Sequence, residues 1–321
     1  EKCKVKAEEI GQSGLYQLFV NKTAKHLQAL GRKVMVWERP MQWEKGKPQV
    51  NEIKPVKGLV LTESYKMTSD YKYAKEAKAM GLEVFAYDPN PGTAGLALSY
   101  LYRVRNGNII KGCLENSYNL LSSASISGVF DGMICTSWDD AGLHNQMWIM
   151  HFINAAEYSW SGSKPELTEF KESYFKNYYG NSAVNMEEMF YLLNEGAYYY
   201  MSTFERNVWH YGEIGKTHLP DLPRGDALEY DPFWNREYKE IVDRSRDELA
   251  KMDRVLQIIE NNKKSGVKNS YDFELFRIVV EVIQHTCLTY IDLSDLEYAI
   301  TEAHRKTFKD HRRKRTTSYP Y

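Results

Sequence analysis

Four short apolar runs before residue 165 constrain the possible fold most strongly. They occupy residues 34–37, 58–62, 84–87 and 132–138, and each is bounded by polar or turn-forming residues. Segments with helical spacing of apolar residues precede or follow these runs, at residues 16–27, 73–80 and 143–160, and residues 109–121 also fit a helix. Short apolar strands that alternate with helices are typical of βαβ units in a parallel sheet. The sequence therefore predicts an α/β fold here.

The number of strands leaves two architectures open. A complete (β/α)₈ barrel needs eight parallel strands, and the sequence supplies four. The chain therefore forms either an open sheet or one half of a TIM-type barrel. We predict a first domain of this kind over residues 1–164.

Beyond Pro165 the pattern is helical throughout. Helices are predicted at residues 166–179 and 186–209, and a proline-containing loop follows. Two longer apolar stripes then run from Tyr238 to Ile259 and from Phe273 to Ile291. The polar turn between them, residues 261–269, predicts an antiparallel helix hairpin. Residues 165–321 are therefore predicted to be an all-α C-terminal region.

The bulk chemistry of the chain argues against several classes of partner. The formal net charge is −1, which gives no general electrostatic attraction to nucleic acid. The basic run at residues 311–315 is therefore interpreted as a solvated tail. Cysteines are few and widely spaced, so we expect neither a metal site nor a cofactor. No apolar run is long enough for a membrane span.

Ligands of parallel α/β sheets bind at the carboxyl ends of the strands, so the residues there are the candidates for a site. Each run ends in an aromatic residue, an acidic residue, or both. Aromatic rings pack against the C–H faces of pyranoses, and carboxylates accept hydrogen bonds from sugar hydroxyls. The alternative is a core ring beside a helix N-cap. The predicted sugar-binding residues are Trp37, Glu63, Tyr87, Asp88, Trp138 and Asp140.

One of these strand ends resembles a known family of enzymes. Trp138-Asp139-Asp140 and the downstream segment Asn154-Ala155-Ala156-Glu157-Tyr158-Ser159-Trp160 are similar to the last strand and helix of family 20 β-N-acetylhexosaminidases. The resemblance implies that Trp138 and Trp37 form walls of a pocket for N-acetylhexosamine. It implies that Asp140, one methylene shorter than the family's Glu, binds the outer hydroxyls. Tyr87 or Tyr100 would then bind the acetamido group.

The same resemblance implies a reaction and a place in the barrel. The four strands would be the fifth to eighth, and the family's catalytic Asp-Glu pair lies on the fourth strand. There the substrate's own acetamido group attacks the anomeric carbon in a retaining mechanism. Residues 1–12 read as a polar loop without such a pair, so we expect the pair upstream of Glu1 and assign no catalytic residue to this chain.

A second class of function stays open beside the hydrolase. The chain could be a non-catalytic carbohydrate-binding or assembly module, and the upstream gene sequence separates the two. In either case the expected ligand is a glycan that contains N-acetylhexosamine. We expect the open side of a half-barrel to be covered by the C-terminal helices, a second copy or the other barrel half. Family habit implies a periplasmic or secreted location.

Overall fold

The computed structural model describes residues 2–37, 54–63, 71–88, 102–105, 108–111, 113–136, 145–160, 166–203 and 234–317. In chain order the elements are α1 (Lys2–Ala29), β1 (Val34–Trp37), β2 (Leu59–Glu63), α2 (Lys72–Ala79), β3 (Glu83–Asp88), β4 (Tyr102–Arg105), β5 (Asn108–Lys111), α3 (Cys113–Ser127), β6 (Gly132–Cys135), a 3₁₀ helix (Asn145–Trp148), α4 (Ile149–Trp160), α5 (Leu167–Tyr179), α6 (Met186–Thr203), α7 (Trp234–Glu237), α8 (Lys239–Lys264) and α9 (Tyr271–Thr317).

The chain divides into two compact units, each made of several segments. The first contains residues 1–92, 114–138 and 149–167, and the second contains residues 93–113, 139–148 and 168–321. These units are defined by contacts, whereas the predicted domains, 1–164 and 165–321, are defined by chain order. The predicted boundary therefore stays a prediction.

The first unit is an α/β structure built on one parallel sheet. Its strand order is β1-β2-β3-β6, and all neighbouring pairs are parallel. The predicted strands and their parallel arrangement are therefore confirmed. Apolar side chains from α1, α2 and the sheet form one core cluster, which includes Ala24, Leu61 and Val84. A second cluster joins Leu121 of α3 and Tyr158 of α4 to the side of the sheet that carries Met133.

The amino-terminal edge of this sheet is held by polar contacts. Asp131, just before β6, accepts hydrogen bonds from the Val84 backbone N–H at 2.9 Å and from Lys78 Nζ at 2.6 Å. Its own N–H donates to the Val84 carbonyl at 2.8 Å. Lys33 forms an ion pair with Glu83 at 2.6 Å near the same edge. These contacts fix where β3 and β6 begin.

The second unit is mainly helical. α8 and α9 form the predicted antiparallel hairpin, and α6 packs against both. Two hydrogen bonds tie the end of α5 to the turn of the hairpin, because the Tyr179 carbonyl accepts from Lys268 N at 2.8 Å and the Tyr178 carbonyl accepts from Asn269 Nδ2 at 2.7 Å. The fully buried Asn262 side chain bonds both backbone polar groups of Val184, each at 2.9 Å.

Three local expectations differ from the structure. Residues 2–12 are helical rather than loop-like, because Lys, Glu and Ala favour a helix, and Gly11 with φ 75° interrupts it. The helix expected from residue 109 begins only at Cys113, because Asn108–Lys111 pairs antiparallel with Tyr102–Arg105. The two adjacent β-branched residues of this segment, Ile109 and Ile110, favour a strand when a partner strand is present. The basic run at 311–315 continues α9 as helix.

Candidate functional site

The strands of the first unit present two different faces. Alternation places Val34, Val36, Leu59, Leu61, Val84, Met133 and Cys135 on the face that packs against helices. The strand register places Met35, Trp37, Val60, Thr62, Phe85, Tyr87 and Ile134 on the other face. We call this second set the open face, because the two helix-lined core clusters lie on the other face; Val60, Thr62 and Tyr87 on it are nevertheless buried. At the carboxyl end of the open face lie two of the predicted site residues, Trp37 and Tyr87.

Trp37 and Tyr87 are in direct contact on the open face. Their ring centroids are 4.6 Å apart, and the ring planes meet at 83° in an edge-to-face arrangement. The two residues lie on β1 and β3, which are separated by β2, so their backbones are roughly 9.6 Å apart. The rings therefore lean towards each other across the position of Thr62, which pairs in register with Trp37.

Two threonines support this pair of rings. Thr136, directly after β6, donates its hydroxyl to the phenol oxygen of Tyr87 at 3.2 Å. Thr62 is fully buried and donates its hydroxyl to the Val36 carbonyl at 3.2 Å. Thr62 pairs in register with Trp37 and with Phe85, two residues before Tyr87. The four residues thus lie on one face of the sheet, near the carboxyl ends of its strands.

The exposure of the two rings differs in a way that matters for binding. Tyr87 is 3% exposed, whereas Trp37 is 55% exposed. The contact with the buried phenol restricts the orientation of the indole, while much of the indole surface contacts solvent. A rigid, half-exposed indole suits an apolar ligand face, since little side-chain entropy is lost on binding.

The other predicted site residues are placed less completely. The backbones of Glu63 and Asp88 pair in register with Ala86 and Cys135. They are the last residues of β2 and β3, as expected, and their side chains lie outside the described part of the chain. Trp138, Asp140 and the competing Tyr100 also lie outside the described residues. The structure therefore brings together Trp37 and Tyr87 from the predicted set.

Sequence reasoning passed over Thr62 and Thr136. The candidates in the sequence are the residues after each apolar run, which include Glu63, whereas Thr62 belongs to the predicted strand. Strand alternation carries the missing signal, because Thr62 shares its face with Trp37 through the register. A lone hydroxyl in a buried apolar strand is also a polar group that needs a partner.

Several described groups have perturbed pKa values. The hydrogen bond from Lys78 is the main cause that lowers the pKa of Asp131, which lies at the opposite edge of the sheet. In the helical unit burial raises the pKa of Tyr178 to about 12 and that of Cys287 to about 12. Burial also raises the pKa values of Tyr174, Tyr179 and Tyr199.

Tyr174, Tyr179 and Tyr199 are core residues of the helical unit, and Tyr178 is half-buried. Tyr179 donates to Asp272 at 3.1 Å, and Tyr199 shares a hydrogen bond of 2.6 Å with Ser245. Rings of α5 and α6, including Tyr174 and Phe190, pack edge to face. Their raised pKa values follow from packing, so the aromatic richness of this region is explained by its core.

Within the described ranges no three His, Cys, Asp or Glu side chains are grouped in a way that could hold a metal ion. No helix of the described chain combines the length and the apolar character that crossing a membrane requires.

In comparisons with known proteins, the chain matches no family model, no curated protein and no solved structure.

Proposed function

We propose that the open face binds a glycan that contains N-acetylhexosamine, in a protein of the family 20 β-N-acetylhexosaminidase type. The observation that carries the proposal is the contact between Trp37 and Tyr87 at the carboxyl end of the parallel sheet. The half-exposed indole supplies a plane for the C–H face of a sugar ring. The buried Tyr87 phenol, which accepts a hydrogen bond from Thr136, supports that plane from one edge.

The strand order supports placing this sheet in a half-barrel. Each successive strand of β1-β2-β3-β6 lies on the same side of the previous one, and the described helices of the unit pack on one face. A (β/α)₈ barrel has this sequential order. A doubly wound sheet reverses its strand order and carries helices on both faces. We therefore propose that β1, β2, β3 and β6 are equivalent to the fifth to eighth barrel strands.

In this proposal the chain binds the sugar and does not supply the catalytic acid. Trp37 forms one wall and Trp138 a second, Tyr87 or Tyr100 contacts the acetamido group, and Asp140 accepts hydrogen bonds from hydroxyls. Glu63 and Asp88 occupy strand positions of the opposite face, so they are not assigned to this site. The catalytic Asp-Glu pair of the family belongs to a strand that precedes these in a complete barrel. The family further suggests a periplasmic or secreted protein.

The binding test compares two exposed tryptophans. Trp37→Ala is expected to weaken binding of a chitin oligosaccharide at least tenfold in calorimetric titration, because the stacking plane is removed. Trp160→Ala is the matched control, since Trp160 ends α4 with 93% exposure and does not belong to the open face. Equal affinity of both variants and the unchanged chain would refute the proposed site.

Hydrolysis separates the enzyme from the binding module. The chain alone is expected to bind the oligosaccharide without cleaving a chromogenic N-acetylglucosaminide. A polypeptide that carries the family's catalytic Asp-Glu pair in addition to this chain is expected to cleave it. Binding without cleavage by such a polypeptide would favour the non-catalytic carbohydrate-binding module instead.

A further inference from the structure

The edge strand β1 carries two exposed apolar side chains on the open face. Met35 is 46% exposed and Trp37 is 55% exposed, whereas Val60 and Thr62, their partners in register on β2, are each 1% exposed. Among the described strands, β1 pairs with β2 and with no other. Met35 and Trp37 therefore form a short apolar strip along the edge of the sheet, which we call the β1 strip.

Met35 continues the surface that the Trp37 indole presents. Residues two apart on a strand point to the same face, and their Cα atoms are separated by about 6.6 Å. The thioether side chain of a methionine is flexible and apolar, so it adapts to the shape of a small apolar group. A ring that stacks on the indole can therefore reach Met35 with a substituent that points towards the middle of the strand.

The described neighbours of Met35 on this face do not offer a hydrogen bond to such a substituent. Its partner in register is Val60, which is apolar. The Thr62 hydroxyl is buried and donates to the Val36 carbonyl at 3.2 Å. A hydroxyl or an ammonium group above Met35 would lose its hydrogen bonds to water without a replacement, whereas a methyl group loses none.

A charged pair limits the β1 strip on its other side. Lys33 lies two residues before Met35, and its Nζ forms an ion pair of 2.6 Å with Glu83 at the start of β3. The strip is thus confined to two strand positions between this ion pair and the carboxyl end of β1. This length suits one ring with one short apolar substituent. A long alkyl chain would extend over the ion pair, which opposes a lipid as the ligand.

We propose that Met35 contacts the acetamido methyl group of the bound N-acetylhexosamine and thereby selects this sugar over an unsubstituted hexose. The inference rests on the proposed function, because it requires a sugar ring on Trp37. The acetamido group is a trans amide, so its methyl carbon lies about 3.8 Å from the ring carbon that carries it, as successive Cα atoms do. This reach extends from a ring stacked on the indole towards Met35. A hexose places a hydroxyl group there instead.

The test compares two trisaccharides that differ in this group alone. Chitotriose carries acetamido groups where cellotriose carries hydroxyls, and calorimetric titration measures both affinities. The unchanged chain is expected to bind chitotriose at least threefold more tightly than cellotriose. Met35→Gln keeps the length of the side chain and adds an amide. It is expected to weaken chitotriose binding about three- to fivefold, the effect of one buried methyl group, and to leave cellotriose binding within twofold.

Two further variants serve as controls. Met35→Leu keeps an apolar side chain, so it is expected to retain the preference for chitotriose. Met80→Gln makes the same substitution at a methionine that is 42% exposed at the end of α2, away from the open face. It is expected to change neither affinity. Circular dichroism checks that each variant folds, and size-exclusion chromatography checks that its elution volume is unchanged.

Several outcomes would overturn the role of Met35. Equal losses for both trisaccharides in Met35→Gln would show that Met35 contacts a part common to both sugars. An unchanged preference in Met35→Gln, or a shift of its elution volume that indicates a contact between copies, would also overturn it. If Trp37→Ala weakens binding of both trisaccharides while Met35→Gln changes neither, the role of Met35 alone is refuted. If Trp37→Ala changes neither affinity, the sugar site itself is refuted.

Discussion

The indole of Trp37 and the phenol of Tyr87 meet at 4.6 Å although their strands are not neighbours in the sheet. On the intervening strand, Thr62 pairs with Trp37 and with Phe85, which precedes Tyr87 by two residues. The pair therefore depends on three strands at once. Any change that shifts the register of β1, β2 or β3 is expected to separate the rings.

Tyr87 is expected to contribute to stability mainly through its ring. Tyr87→Phe removes the hydrogen bond from Thr136 and should lower the free energy of unfolding by about 1 kcal/mol. Tyr87→Ala removes a buried ring and should cost about 3–5 kcal/mol. Urea denaturation followed by tryptophan fluorescence measures both. Thr136→Val is the matched variant, and a Tyr87→Phe loss as large as that of Tyr87→Ala would contradict this assignment.

Gly132 is expected to be required by the ring of Phe85. A Cβ atom at position 132 would lie 2.8 Å from the Phe85 ring, so the ring would have to move. Gly132→Ala should lower the free energy of unfolding by roughly 1–2 kcal/mol, since overpacking exceeds the gain from a less flexible unfolded chain. Adding Phe85→Leu should recover most of that loss. A double variant no more stable than Gly132→Ala would exclude the contact as the cause.

Asp131 is expected to make the sheet sensitive to acid. Its folded-state pKa lies below the ordinary value of 3.8, mainly because Lys78 donates a hydrogen bond to the carboxylate. Because the folded pKa is lowered, the ionised Asp131 carboxylate stabilises the fold at pH values above the unfolded pKa. This stabilisation is lost as the pH falls through the folded pKa. Asp131→Asn should therefore lower the unfolding midpoint most near neutral pH, with a difference that narrows below about pH 4.

Lys78→Met supplies the control for this pH dependence. It removes the main cause of the shift and leaves the hydrogen bond between Asp131 and Val84 in place. In Lys78→Met, the contribution of Asp131 to the pH dependence of the unfolding midpoint should be mostly lost. Thermal unfolding between pH 3 and 7 measures this. A difference between Asp131→Asn and the unchanged chain that stays constant over this range would contradict the electrostatic origin.

Asn262 is expected to hold the link between α8 and the start of α6. Asn262→Ala leaves the N–H and C=O of Val184 without their side-chain partner, at a cost of about 2–3 kcal/mol. Asn261→Ala, at the exposed neighbouring position, should change stability by less than about 0.5 kcal/mol. Similar losses in the two variants, measured by thermal unfolding, would show a general effect on the helix end.

The strands and the helix hairpin were predictable because their signals are local. Val34 and Val36 belong to a short apolar run, and the α8 and α9 stripes repeat at helical spacing. The β4–β5 hairpin was missed because Ile109 and Ile110 fit a helix equally well in isolation. Pairing with β4 stabilises the strand conformation over the helix.

The candidate site was predictable only in part. Trp37 and Tyr87 could be selected because aromatic residues end two strands at the edge where ligands bind. Their contact could not be predicted, because it depends on strand order, register and the direction of lean. Thr136 could not be selected either, since its partner is 49 residues away in the sequence. The link between Tyr179 and Asp272 is equally non-local.

The interleaving of the two units has a consequence for synthesis on the ribosome. The β4–β5 hairpin belongs to the unit whose helix α6 it contacts, and α6 emerges only after α3, β6, α4 and α5. At a synthesis rate of about 5–20 residues per second, α6 is made roughly 4–15 s after the hairpin. A two-stranded ribbon is marginally stable alone and exposes both edges. The nascent chain therefore passes through an interval in which the sheet unit can assemble while this ribbon is still open to pairing with other chains.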